Sequence, residues 1–153
     1  LVPDIADRAS FALDQGGEYT FTSGYGITLR QDVKESPKYI LALLNSSVLD
    51  FYLKRISTTM RGGFFRYFTQ FIGRLPIHRI DFSKPAEKDK HDRLVSLVDQ
   101  ITALHRQLIA AKSPPDKEVL DRQIHAATQQ IDRLVYELYG LTEEEIMIVE
   151  GGN

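Results

Sequence analysis

The stretches LVSLVDQITALHRQLIAA (residues 94–111) and LDRQIHAATQQIDRLVYEL (residues 120–138) decide the fold of this 153-residue chain. In both, apolar residues recur alternately three and four positions apart, which is the heptad pattern of helices that pack along a shared seam. The sequence SPPD at residues 113–116 interrupts the pattern, and a proline inside a helix costs about 3 kcal/mol. We therefore predict a two-helix antiparallel coiled-coil hairpin over residues 85–140 that turns at residues 113–116.

The residues that follow the second heptad run contain signals for the end of one helix and the start of another. Gly140 suits a C-terminal cap, and Thr142 and Glu145 have the spacing of a capping box. We predict a short last helix over residues 143–149 and a loose tail after Glu150. Residues 141–153 are the third segment of the predicted domain organisation.

One strong helix pattern precedes the hairpin. Ser36 and Pro37 suit the N-cap and the first position of a helix, and apolar residues then recur at helical spacing as far as Phe51. Further leucines lie on the other side of the same helix, which is typical of a buried helix. We predict a single buried helix that ends at about Arg55.

The remainder of residues 1–84 favours strands and turns. Residues 18–29 mix aromatic and β-branched residues with glycines, and LPIHRI at residues 75–80 predicts a final strand. The aromatic run FFRYFTQF at residues 64–71 fits a helix or a strand equally well. The predicted fold class is α+β, in which a small mixed recognition domain over residues 1–84 is followed by the helical hairpin.

The composition excludes several kinds of site. The chain has no cysteine, so it can form neither a disulfide nor a thiolate metal site, and we expect a cytoplasmic protein. The longest apolar run, at residues 39–48, contains three polar residues and is too short to span a membrane. The missing initiator methionine indicates a fragment of a longer protein. We expect no bound metal, because the histidines are far apart in the sequence and lack ligand spacing: His78, His91, His105 and His125.

Motifs of catalysis are also missing from the sequence. The chain has no nucleophile elbow, phosphate-binding loop or dinucleotide fingerprint, so we expect no catalytic residue and no cofactor. A looser pattern, Pro3-Asp4 followed by Asp32-Val33-Lys34, matches that of magnesium-dependent nucleases. A metal-dependent nuclease is therefore an alternative, although so permissive a pattern also arises by chance.

Positive charge is concentrated in one segment. Residues 1–50 contain four basic and seven acidic residues, and residues 81–153 contain nine and fourteen. Residues 51–80 contain no acidic residue and six basic ones: Lys54, Arg55, Arg61, Arg66, Arg74 and Arg79. Within the segment no acid compensates these charges, so it is predicted to bind nucleic acid.

The candidate DNA-binding residues lie in this basic segment. Arginine pairs with phosphate oxygens or with guanine, and glycine lets a backbone approach a duplex closely. The candidates are Arg61, Gly62, Gly63, Arg66 and Arg74, with Lys54 and Arg55 as weaker ones that can instead complement the C-terminus of their helix. We expect the neighbouring aromatic residues to belong to the core.

Three stretches of the chain resemble one protein family. They are PKYILALLNSS at residues 37–47, GGFFRYF at residues 62–68 leading to LPI at residues 75–77, and LVYELYGLTE at residues 134–143. In order and spacing they resemble the TaqI-like C-terminal specificity domains of type IIG restriction enzymes and adenine-specific DNA methyltransferases. Type I specificity subunits are similar in plan and remain an alternative.

The resemblance implies that this chain selects a DNA sequence for a methyltransferase domain of the same full-length chain. That protein would methylate adenine with S-adenosylmethionine, and whether it also cleaves DNA is left open. No Asn-Pro-Pro-Tyr or Asn-Pro-Pro-Phe motif occurs in these residues, so we expect the fragment to bind double-stranded DNA without reacting. A protein-interaction or spacer module is the alternative function, and RNA as the ligand also remains open.

Overall fold

The two heptad runs form two long helices in the computed structural model of the protein, which describes residues 1–151. In chain order the elements are β1 (Ile5–Ala6), α1 (Pro37–Leu44), α2 (Ser47–Ile56), β2 (Thr59–Met60), β3 (Phe64–Arg66), α3 (Thr69–Ile72), α4 (Pro85–Ala110), α5 (Pro114–Tyr139) and α6 (Glu143–Val149). The predicted α+β class is confirmed.

The predicted helical hairpin is confirmed, but its turn lies at residues 111–113 and not at the predicted residues 113–116, because residues 114–116 already belong to α5. Helices α4 and α5 pack against each other across a connection of three residues, so they must run antiparallel. Pro114 and Pro115 occupy the first positions of α5, where a missing N–H costs no helical hydrogen bond. A coiled-coil supercoil in this hairpin stays a prediction. Among the helices described, none combines the length and the apolar character needed to cross a bilayer.

The predicted capping residues at the end of the hairpin are confirmed. Gly140 has a left-handed backbone with φ of 64° after the end of α5. The Thr142 hydroxyl accepts from the Glu145 backbone N–H, and the Glu145 carboxylate accepts from the Thr142 backbone N–H. Helix α6 covers the predicted residues 143–149. In the predicted loose tail, residues 152–153 lie outside the described part of the chain.

The prediction of one helix ending at about Arg55 is wrong, because α1 and α2 are separate helices. Ser46 lies between them with an extended backbone (φ −71°, ψ 152°). Its hydroxyl donates to the Leu43 carbonyl at 2.7 Å and accepts from the Leu49 N–H at 3.4 Å, so it caps the second helix. A short polar side chain can replace helical hydrogen bonds of the backbone in this way, and Ser46 thereby separates α1 from α2.

The strands predicted at residues 18–29 and 75–80 are also wrong. Residues 18–29 contain one isolated bridge, between Tyr25 and Val2. The backbone of residues 75–80 bonds to side chains instead of a strand. Ile80 N–H donates to Glu35 Oε1 at 3.0 Å, and the His78 carbonyl accepts from the Tyr39 hydroxyl at 2.9 Å. These partners satisfy backbone groups for which the prediction had assumed a strand partner.

A small antiparallel sheet forms from other residues. The strand order is β1-β3-β2, so β3 lies in the centre. Ile5 pairs with Arg66, Ala6 with Phe65, and Met60 with Phe64. The aromatic run that fitted either element type therefore begins as a strand and continues as the short helix α3.

One hydrophobic core joins the hairpin to the preceding residues. Helix α1 packs against α4, and α2 packs against α5. The cluster includes the fully buried side chains of Tyr39, Leu43, Leu94 and Val135. The domain boundaries at residues 84 and 140 stay predictions, and this core contains residues from both sides of the first boundary.

Asp132 of α5 fixes the start of α2. Its carboxylate accepts from the Ser47 backbone N–H and from the Ser47 hydroxyl, both at 2.8 Å. Burial raises the pKa of the Asp132 carboxyl, although the bonds from Ser47 oppose this rise. A residue 85 positions away along the chain therefore satisfies a free N–H of the α2 N-terminus.

We expect Asp132→Ala to lower the free energy of unfolding by about 1–3 kcal/mol, because it leaves a half-buried N–H without its acceptor. A raised pKa in the folded state favours folding at low pH, and this contribution is lost as the pH rises through the folded pKa. The difference in the free energy of unfolding between wild type and Asp132→Ala should thus be larger at about pH 4 than at about pH 7. Urea denaturation at both pH values measures this free energy. Asp121→Ala, an exposed position on the same helix, is the matched control and should change stability little. An equal effect of the two substitutions would contradict the role of Asp132.

Candidate nucleic-acid interface

A β-hairpin presents the centre of the basic segment. Strands β2 and β3 are joined by Arg61, Gly62 and Gly63, and the two glycines have φ of 89° and 80°. Residues with a side chain are strained in this conformation, so the turn requires glycine. A Cβ built on Gly63 would meet no atom within 4 Å, and the backbone at the hairpin tip is therefore open to a ligand.

The base of the hairpin is held by the residue that follows α2. The Ser57 hydroxyl donates to the Arg66 carbonyl at 2.7 Å and accepts from the Arg66 backbone N–H at 3.1 Å. The Tyr67 N–H donates to the carbonyl of Asp4, the residue before β1, at 2.8 Å. These bonds fix where the strands begin and leave the tip free.

The sheet has an inner and an outer face, because successive side chains of a strand point to opposite sides. The inner face includes Phe65 and Ala6, which pack on the hydrophobic core. The outer face consists of Ile5, Met60, Phe64 and Arg66, which are paired across the strands. Ile5 is 40% exposed and Phe64 is 43% exposed.

Arg66 is oriented by aromatic residues beside the outer face. Its guanidinium carbon lies 5.3 Å from the centre of the Phe68 ring, which contacts the Tyr25 ring edge to face at 6.1 Å. Within residues 1–151 the Arg66 Nε is buried without a hydrogen-bond partner. The cation–π contact with Phe68 limits where the guanidinium can lie, and the guanidinium forms no ion pair within residues 1–151, so it can pair with an acceptor of a partner.

Lys54 is placed differently from Arg66. Its Nζ lies 2.7 Å from the Asp50 carboxylate and 5.4 Å from the centre of the Phe65 ring, which belongs to the inner face. The structure thus places Lys54 on the opposite side of β3 from Arg66. The charge of Lys54 is compensated.

Arg79 is compensated by an acid from outside the segment. Its Nε donates to Glu35 Oε1 at 2.7 Å, and the Glu35 side chain is 1% exposed. Burial by itself would raise the pKa of the Glu35 carboxyl, but bonds from Arg79 and from Ile80 N–H outweigh it and lower that pKa. The inference that no acid compensates the basic segment is therefore wrong for Lys54 and Arg79.

Four arginines of the segment form no ion pair with any residue in the described part of the chain: Arg55, Arg61, Arg66 and Arg74. Arg55 lies in the last turn of α2 with its guanidinium carbon 4.7 Å from the Phe51 ring centre. Arg61 is exposed in the hairpin turn, and Arg74 is exposed after α3. These four side chains carry the positive charge that remains available to a partner.

The aromatic residues divide between the core and the surface. Tyr67 is fully buried and Phe71 is buried, as the sequence predicts. Phe64 is exposed, so the prediction that this run belongs to the core is wrong at that position. The aromatic run by itself does not reveal that Phe64 is exposed, because the residues of β3 alternate between the two faces only when residues 64–66 form a strand.

The nuclease alternative has no metal site in the described structure. Within residues 1–151, no three His, Asp or Glu side chains come together as possible ligands. Asp32 instead lies 3.8 Å from the Arg30 guanidinium on the surface.

The family that the three sequence stretches resemble also matches the chain in a comparison with known protein families. A family model described as the TaqI-like C-terminal specificity domain matches residues 1–77. This match covers β1, both short helices, the β-hairpin and α3, and therefore all candidate DNA-binding residues. No solved structure matches the chain.

Two longer proteins are similar to the chain over most of its length. The type II restriction enzyme and methyltransferase RM.Eco57I of Escherichia coli is 32% identical over 132 residues, which are 84% of this chain and 13% of that protein. The type II methyltransferase M.XhoI of Xanthomonas vasicola is 30% identical over 151 residues, which are 97% of this chain and 22% of that protein. The chain thus spans less than a quarter of the length of either relative.

Proposed function

Because this chain belongs to the family of TaqI-like C-terminal specificity domains, we propose that it recognises the DNA target of a restriction-modification methyltransferase. One observation carries the proposal for the site. Arg61 lies in the turn of a β-hairpin whose glycines leave the backbone accessible, Arg66 lies on β3, and Arg74 is exposed after α3; none of the three forms an ion pair within residues 1–151.

The proposed roles follow from the chemistry of each group. Arg61 and Arg74 are exposed and can reach phosphate oxygens, whereas the guanidinium of Arg66, held against the Phe68 ring, is the candidate for bidentate pairing with guanine. Gly62 and Gly63 let the turn approach the duplex. Arg55 is a further cation at the edge of this surface, and Lys54 can contribute once it leaves Asp50.

The activity of the whole protein is a separate part of the proposal. Both relatives carry the word methyltransferase in their names. We propose that a domain elsewhere in the full-length chain methylates adenine with S-adenosylmethionine, and that this chain docks beside it and does not react. The proposed location is the cytoplasm.

Salt dependence of binding tests the proposed function. The purified chain should bind a duplex of mixed sequence at low salt, and each phosphate contact should contribute about −0.9 to the slope of log K against log salt concentration. Three contacts would give a slope of about −2.7. Fluorescence anisotropy across a salt series measures this slope. An absence of salt-dependent binding would contradict the proposal and favour the protein-interaction alternative.

A further inference from the structure

The outer face of the sheet carries two large exposed apolar side chains, Ile5 and Phe64, of which Phe64 lies at the tip of the β-hairpin. We propose that Phe64 contacts the 5-methyl group of a thymine in the major groove. The inference rests on the proposed function, because it requires DNA to lie against the same hairpin. It assigns a specificity-determining role to a residue that is neither basic nor part of the glycine turn.

The position of the Phe64 ring is set by the hairpin itself. Phe64 lies opposite Met60, and its ring packs over Gly62, where an added Cβ would come within 3.4 Å of ring carbon Cδ2. The neighbouring Phe65 packs on the core, whereas Phe64 remains 43% exposed. The turn therefore holds an apolar ring at the hairpin tip.

Positive charges flank this ring. Arg61 precedes the two glycines, and Arg66 lies two residues after Phe64 on the same face of β3. Neither arginine forms an ion pair within residues 1–151. A partner that covers Phe64 must therefore offer an apolar group between negative groups. The major groove does so, because phosphates line both walls and thymine methyl groups lie on the floor.

The size of the element and the chemistry of phenylalanine point to thymine. Strand β1 pairs with β3 at Arg66 and Phe65, so at Phe64 the tip consists of β2 and β3. Such a two-stranded ribbon fits the major groove, which is about 12 Å wide, but not the minor groove of about 6 Å. A phenylalanine ring cannot distinguish bases by conventional hydrogen bonds, so it discriminates through apolar contact. The thymine methyl is the apolar group that an unmodified base presents at this edge.

Removal of single methyl groups tests the inference. A preferred duplex is first selected from a random pool by the wild-type chain, and each thymine is then replaced in turn by uracil, which keeps every hydrogen-bonding group. At one position uracil should weaken wild-type binding about fourfold, as expected for the burial of one methyl group. In Phe64→Ala the same replacement should have no effect.

The matched control is Phe21→Ala. Phe21 is 49% exposed but lies in the N-terminal segment, where it lines a groove with Pro37 and Ile40. This variant should keep the fourfold effect of uracil. The uracil replacements are first tested with the wild-type chain, which shows whether any thymine methyl group contributes to binding. If Phe64→Ala fails to fold, Phe64→Ser replaces it in the comparison.

The outcomes separate this inference from the proposed function. Binding without any sensitive thymine, or with a sensitivity that Phe64→Ala and Phe64→Ser retain, overturns the role of Phe64 and leaves DNA recognition by the arginines intact. A wild-type chain that binds no DNA at low salt overturns both.

Discussion

Simultaneous replacement of Arg61, Arg66 and Arg74 by alanine should abolish most DNA binding by this chain. Each lost phosphate contact should flatten the salt slope by about 0.9, and a lost guanine contact should cost about 1–3 kcal/mol, or about 5-fold to 150-fold in affinity. The single variants separate the two kinds of contact. Loss of a phosphate contact weakens binding to all sequences equally, whereas loss of a base contact relaxes the preference at one position.

Three arginines on the helical hairpin of α4 and α5 provide the matched control for this experiment. Arg93, Arg106 and Arg122 are exposed on α4 and α5, outside the basic segment. Their replacement by alanine changes the net charge by the same amount, so a general charge effect would weaken binding in both triple variants. If only the control variant loses affinity, or if both lose it equally, the β-hairpin of β2 and β3 is not the recognition surface. Far-UV circular dichroism establishes that each variant is folded.

Leu94→Ala should lower the free energy of unfolding of the entire chain by about 2–5 kcal/mol. Leu94 is fully buried in the cluster that joins α4 to α1, so its truncation leaves a cavity between the hairpin and the preceding residues. A shared core predicts that both parts unfold together. Far-UV circular dichroism, dominated by the long helices, and near-UV circular dichroism, to which five tyrosines before residue 84 contribute, should therefore give the same midpoint.

A substitution near the turn of the helical hairpin controls for a general effect of removing apolar residues. Ile109 is 86% exposed near the end of α4, and Ile109→Ala should change stability by less than about 0.5 kcal/mol. Separate midpoints for the two signals would show that the predicted division at residue 84 corresponds to independently folding parts. A common midpoint that shifts in Leu94→Ala would show that the helical hairpin of α4 and α5 is required for the fold of the candidate interface.

Counting acidic and basic residues along the sequence does not show which of the charges form ion pairs in the folded chain. Asp50 lies one residue before the acid-free segment and four before Lys54, so helical spacing by itself could have identified that pair. Glu35 is 44 positions from Arg79, and no local pattern joins them. Residues 51–80 do carry the concentrated positive charge, but two of their six basic side chains, Lys54 and Arg79, form ion pairs with acids outside the segment.

Local patterns in the sequence determined the long helices, the break between them, the Gly140 cap and the capping box of Thr142 and Glu145. These features depend on groups a few residues apart, and the interactions that stabilise them lie within the same stretch of chain. The family resemblance likewise follows from short stretches in a fixed order.

Tertiary structure alone decided the architecture of the candidate interface. Residues 75–80 form no strand because the distant side chains of Glu35, Tyr39 and Tyr139 satisfy their backbone groups. Phe64 faces outward and Phe65 inward because the register of β3 with β1 and β2 sets the faces, and a shift of one residue would exchange them. Pairing across long sequence separations depends on which surfaces meet when the core forms, and the order of residues within one segment does not specify it.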